Sequence, residues 1–164
     1  MALWQHDFYF IPQSKLKDHY GGIPDTIDDN DVERDWWQDA PWPPFEEMET
    51  ILPYSDNQWS SLMKIWGNDK SHRIWVSFKE DGNLQRIETR VDLSQEYPEV
   101  RRLVESLIRL AQKYEWVFVS VYRKVLMPDY DQLALELKLS DAQDFVDDPM
   151  KNIKRKLHGD QNEE

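Results

Sequence analysis

The chain has 164 residues, 32 Asp and Glu against 20 Lys and Arg, a formal net charge of −12, and no cysteine. That length fits one domain with a core of its own. The acidic balance argues against binding nucleic-acid phosphates, and the missing cysteine excludes disulfides and thiolate metal sites. The charge is uneven, with 14 acidic and 4 basic residues in 1–69 and 18 and 16 in 70–164.

From the N-terminus, Leu3 to Ile11 predicts a strand, with Trp4, His6, Phe8 and Phe10 alternating with Gln5, Asp7 and Tyr9, and Pro12 ending it or marking a sheet edge. The opening residues have neither a basic n-region nor a long apolar run, so a cytoplasmic protein without a membrane span is expected. Residues 15–24 predict a short helical turn broken at Gly21-Gly22. Pro24 to Pro44 is irregular and acidic. It holds Asp25, Asp28, Asp29, Asp31, Glu33, Asp35 and Asp39 with Arg34 as its only basic residue, and Trp36, Trp37 and Trp42. Its prolines favour an extended path.

Phe45 to Leu52 predicts one or two helical turns. Ser55 to Gln58 has the form of a capping box, and Trp59, Leu62, Met63 and Trp66 then fall on one helical face up to a stop at Gly67. Next come two alternating runs around Asp81-Gly82-Asn83. Ile74, Val76 and Phe78 form one apolar face, and Ile87, Thr89, Val91 and Leu93 the other, which predicts a hairpin. A loop of residues 81–82 pairs Val76 with Ile87; a loop of 82–83 or 81–84 pairs Phe78 with Ile87. Both keep the apolar sets on one face, and the other face carries mixed charges around Trp75.

Val100, Leu103, Val104, Leu107, Leu110, Ala111 and Tyr114 then follow helical spacing, with Pro98 tolerable in the first turn. Trp116 to Tyr122 reads as an interior strand, apolar on both faces. Asp129 is a candidate cap for a helix burying Leu133 and Leu137. Ser140 to Gln143 is a second capping-box pattern before Phe145, Val146 and Pro149. The fold expected is α+β, a mainly antiparallel sheet of about four strands with one long helix on a face and shorter peripheral helices. Residues 1–148 make one domain, and 149–164 a helical turn and polar tail.

Motifs for chemistry are sparse. His6, His19, His72 and His158 are too far apart for a helical metal motif. Asp29-x-Asp31-x-Glu33 resembles the start of a calcium loop, but Arg34 and Ala40 stand where that loop needs glycine and glutamate. There is no glycine-rich phosphate loop and no nucleophile elbow. No catalytic residue, metal or cofactor is assigned. The eight tryptophans are the unusual quantity. Trp4, Trp59, Trp66, Trp75 and Trp116 have the periodicity of core residues. Trp36, Trp37 and Trp42 do not; they either pack over the sheet as a lid or lie partly exposed beside the acids. Asp28, Asp29, Asp31, Glu33, Asp35, Trp36, Trp37 and Trp42 are therefore the candidate surface for a basic partner.

Residues Leu135 to Pro149, with Ser140, Ala142, Phe145-Val146 and Pro149 in their spacing, resemble the C-terminal part of small bacterial toxin-immunity proteins. The resemblance implies an acidic cytosolic module that neutralises a toxin by occluding its basic active site. It carries over no functional residue by position. An enzyme with a carboxylate or histidine site, and a structural or assembly protein, are the alternatives.

Overall fold

In a computed structural model, residues 4–55 and 60–138 are described. Strand β1 (Gln5–Pro12) leads into helix α1 (Gln13–Tyr20). A strap from residue 21 to 44 follows, with one 3-10 turn at Asp29–Asp31. Then come α2 (Phe45–Ile51), β2 (Met63–Gly67), β3 (Arg73–Phe78), β4 (Leu84–Asp92), α3 (Tyr97–Tyr114), β5 (Trp116–Ser120), β6 (Val125–Leu126) and α4 (Tyr130–Lys138).

The sheet has six strands in the order β2-β3-β4-β1-β5-β6, each antiparallel to its neighbours. The α+β class and the antiparallel sheet are as expected. The strand number is corrected from about four to six. One addition is β2, which the spacing of Trp59, Leu62, Met63 and Trp66 predicted as helix. Ile65 and Trp66 are both buried there, on opposite faces, so the segment lacks the alternation that marks a strand. The other is β6, which at two residues is too short to show any period.

Strand β1 lies inside the sheet, and Pro12 is its last residue rather than an edge marker. It runs antiparallel to both β4 and β5, so these two are parallel to each other, and α3 is the crossover between them. The hairpin takes the register that pairs Val76 with Ile87. A bulge at Ser77/Phe78 widens the loop, which closes through Lys79 N–H to Asn83 O at 2.8 Å. Gly82 has φ +85° in that loop.

By register, His6, Phe8, Phe10, Ile74, Val76, Ile87, Thr89, Val91 and Phe118 share one face. The buried stripe of α3, Leu103, Val104, Leu107, Ile108, Leu110 and Ala111, belongs to the same core cluster. Asp129 caps α4 by accepting from Gln132 N–H at 3.0 Å, and Leu133 and Leu137 are buried. Residues 56–58 of the Ser55–Gln58 pattern, the Ser140–Gln143 pattern, the domain boundary at 148 and most of the segment carrying the toxin-immunity resemblance lie outside the described residues.

Both edge strands are covered by chain that sequence periodicity does not mark. Ser55 N–H donates to Ile65 O and Gly67 N–H to Pro53 O, closing the outer edge of β2. The start of the strap does the same for β6. Val125 N–H donates to Asp25 O, Ile27 N–H to Arg123 O, and Thr26 bridges Lys124. Free sheet edges invite pairing with other chains, and here both are occupied. Among the described residues no helix is long and apolar enough to cross a membrane.

Candidate partner-binding site

The strap leaves β6 at Ile27, passes the end of α1, and reaches the β3–β4 hairpin. Alternate acidic side chains meet a different element at each step. Asp29 pairs with Arg123 of the β5–β6 turn at 2.8 Å. Asp31 accepts from Tyr20 Oη at 2.6 Å and lies 3.0 Å from His19 Nε2, both on α1. Glu33 lies 3.6 Å from Arg86 on β4, and Asp35 pairs with Lys79 of the hairpin loop. The hydrogen bonds from Tyr20 and His19 hold the Asp31 carboxyl below its ordinary value. Much of the acidic run is therefore an intramolecular clip. Its carboxylates diverge, which removes the calcium-loop geometry, and among the described residues no cluster of His, Asp and Glu can hold a metal.

Two of the candidate site residues are corrected. Trp36 and Trp37 are each 4% exposed and belong to the core, so they cannot serve as contact residues on the folded surface. Trp36 donates Nε1–H to Asp31 O at 3.0 Å and stacks on Tyr20. Trp37 donates Nε1–H to Phe10 O at 3.2 Å and meets the edge of Trp116, ring centroids 5.3 Å apart. They fasten the strap to the body, the lid alternative. Trp42 is different. It is 58% exposed and leans on Phe78 and Phe45 at centroid distances of 5.6 and 6.2 Å. Asp28, Asp29 and Glu33 are exposed, while Asp31 and Asp35 are half-buried. The strap thus presents Asp28, Asp29, Glu33 and Trp42 to solvent.

Behind the strap lies a cleft of about 290 Å³, bordered by Tyr9, Glu33, Asp35, Lys79, Arg86 and Glu88. Register builds its floor: Tyr9 pairs with Glu88, Glu88 with Trp75, and Arg86 with Ser77, so all project from the face opposite α3. The Arg86 guanidinium lies over the Tyr9 ring, 4.2 Å from its centroid, and donates Nη2–H to Val32 O at 3.2 Å. Burial raises the Glu88 carboxyl above its ordinary value, against Arg86 and a hydrogen bond from Trp75. Burial likewise raises the Tyr9 hydroxyl. Next to the cleft, Arg90 grips Asp7 through two bonds of 2.8 and 3.1 Å. Arg73 stacks on Trp75 at 4.2 Å.

Tyr9, Ser77, Lys79, Arg86 and Glu88 were not among the candidates from sequence. Alternating charge around Trp75 marked a wet sheet face, but the β1–β4 register that puts Tyr9 against Glu88 has no local signal. A larger, more apolar groove of about 620 Å³ runs between α3 and α4, with Leu93, Val100, Val104, Leu137 and Lys138 along it.

No family model matches the chain, and no curated protein or solved structure is significantly similar to it.

Proposed function

We propose that the chain is a binding module for a basic protein, with the outer side of the strap as its docking face. The observation that carries this is the exposure of Trp42 on the same segment as Asp28, Asp29 and Glu33. An exposed tryptophan supplies an apolar anchor, and the acidic side chains elsewhere on the strap steer a positive partner toward the chain. The internal partners of Asp29 and Glu33 do not remove them from the surface, since their side chains are 82% and 80% exposed. Exposed ion pairs contribute only about 0–1 kcal/mol, so a partner's arginine exchanges easily for an internal one.

The resemblance of residues 135–149 to toxin-immunity proteins supplies the finer form of this reading. The partner is then the basic domain of a bacterial toxin, met in the cytosol, and the strap occupies the cleft where its substrate's phosphates would sit.

The test is capture from the native host with tagged full-length chain, at low and high salt. A basic protein should be retained at low salt and released at high salt. Trp42→Ala should weaken that complex by ~2 kcal/mol or more, the size of a hot-spot truncation. Asp28→Asn with Glu33→Gln should slow its association. A partner that all these variants hold equally well overturns the proposal.

A further inference from the structure

The groove between α3 and α4 is built from two apolar stripes. Tyr97, Val100 and Val104 recur every three or four residues along α3, and Tyr130, Ala134 and Leu137 do the same along α4. Tyr97 is 68% exposed, and Val100, Tyr130 and Ala134 are half-buried. A helical stripe of this width normally packs on a further element, and a continuous apolar surface is a place where one docks. Lys138, the last described residue, is itself part of the groove wall, so residues 139–164 set out from it. The nearest of them carry the matching pattern. Ala142, Phe145, Val146 and Pro149 fall on one helical face, and Ser140 and Gln143 stand where a capping box starts a helix. Pro149 then disfavours helix beyond Asp148.

We propose that residues 141–148 fold back as a helix into this groove, with Ala142, Phe145 and Val146 against the two stripes. The lengths agree: eight helical residues rise ~12 Å, against ~13 Å for the nine residues of α4. Leu139 and Ser140 leave a two-residue connection, enough to join antiparallel helices. The tether selects this occupant over a second copy of the chain, because a short linker holds the segment at a local concentration in the millimolar range. It also selects 141–148 over the more distant Met150, Ile153 and Leu157, which would close a longer loop. Charge points the same way. Arg101 and Lys138 lie along the groove, and the Arg101 bond to Glu105 is an exposed one that keeps the guanidinium accessible. These two cations suit Asp141, Asp144, Asp147 and Asp148 better than Lys151, Lys154, Arg155 and Lys156. The proposal goes beyond the docking face of the strap and stands or falls without it.

The test uses the full chain, whose lack of cysteine lets a single one carry a label. A nitroxide on Asp147→Cys sits on the side of the predicted helix away from Phe145 and Val146. It should broaden the NMR amide signals of Val100, Arg101 and Ala134. Gly82, at the far end of the nine-residue strand β4, should stay sharp. Phe145→Ser with Val146→Ser in the labelled chain should abolish the broadening. The same pair should speed amide exchange at 141–148 by about tenfold or more, the weight of one buried aromatic side chain. Ile153→Ser with Leu157→Ser should change neither reading. All these positions lie beyond α4, so unshifted signals from the sheet report that each variant is folded. Broadening that is absent, that survives the Phe145 and Val146 changes, or that is lost with Ile153 and Leu157 instead overturns the proposal. A mixture of labelled chain with unlabelled, isotope-enriched chain should show no broadening. Broadening in that mixture assigns the groove to a second copy and equally overturns it.

Discussion

Gly67 and Gly82 have nearly the same backbone, φ +84° and +85°, and different surroundings. A Cβ built on Gly82 meets nothing within 4 Å, whereas one on Gly67 falls 2.2 Å from His72 O. Gly67 ends β2 where its N–H reaches Pro53 O, so its position holds the covered sheet edge together. Gly82→Ala should cost about 1 kcal/mol, from positive φ alone. Gly67→Ala should cost at least about 2 kcal/mol, because backbone must move as well. Urea unfolding of the two variants compares them directly, and equal costs would mean that the close approach at Gly67 relaxes freely.

The strap is held by two kinds of contact, and their magnitudes decide which matters. Its ion pairs to Arg123, Arg86 and Lys79 all keep solvent access. Each contributes about 0–1 kcal/mol. Trp37 is buried against Trp116 and hydrogen-bonded to Phe10 O, and removing such a side chain costs about 3–5 kcal/mol. The combined Asp29→Asn, Glu33→Gln, Asp35→Asn variant should therefore lose less stability than Trp37→Ala alone. Denaturant midpoints measure this, and hydrogen exchange at residues 25–37 should rise far more in the tryptophan variant. The acidic side chains are then free to be chosen for association while the indoles secure the scaffold. This division also explains why the tryptophans lacked a period: they pack on the body from an irregular segment that crosses several elements.

Across the whole molecule, buried titratable groups couple folding to pH. Burial lowers the pKa of His6 and His72 below the ordinary 6.5, and the Nε2 of each is enclosed without a partner. As pH falls through about 6.5 the unfolded chain binds protons before the folded one does, so stability is lost on acidification from there down to the folded pKa values. Glu88 has the opposite sign. Its folded pKa lies above 4.5, so its contribution improves as pH falls through that raised value and levels off below 4.5. Unfolding free energy should decline below pH ~6.5. Changing both histidines to Gln should flatten that decline relative to the parent, measured as the slope of stability against pH. An unchanged slope would place the acid sensitivity elsewhere.

Local patterns in the chain were enough to identify β1, the β3–β4 hairpin, α3, β5 and the Asp129 cap, because each is governed by neighbours two to four residues apart. They also set the overall charge and the acidity of the front portion. The same patterns misassigned β2, whose apolar residues face both sides of an edge, and left β6 unseen. Nothing within a few residues of Trp36 or Trp37 indicates that Asp31 O and Phe10 O accept their indole protons. Tyr9 and Glu88 lie 79 positions apart in the chain and meet only through strand register, which long-range packing selects. Burial is a property of the assembled core, so only the tertiary structure could divide the acidic, tryptophan-rich strap into an inner fastening and an outer face.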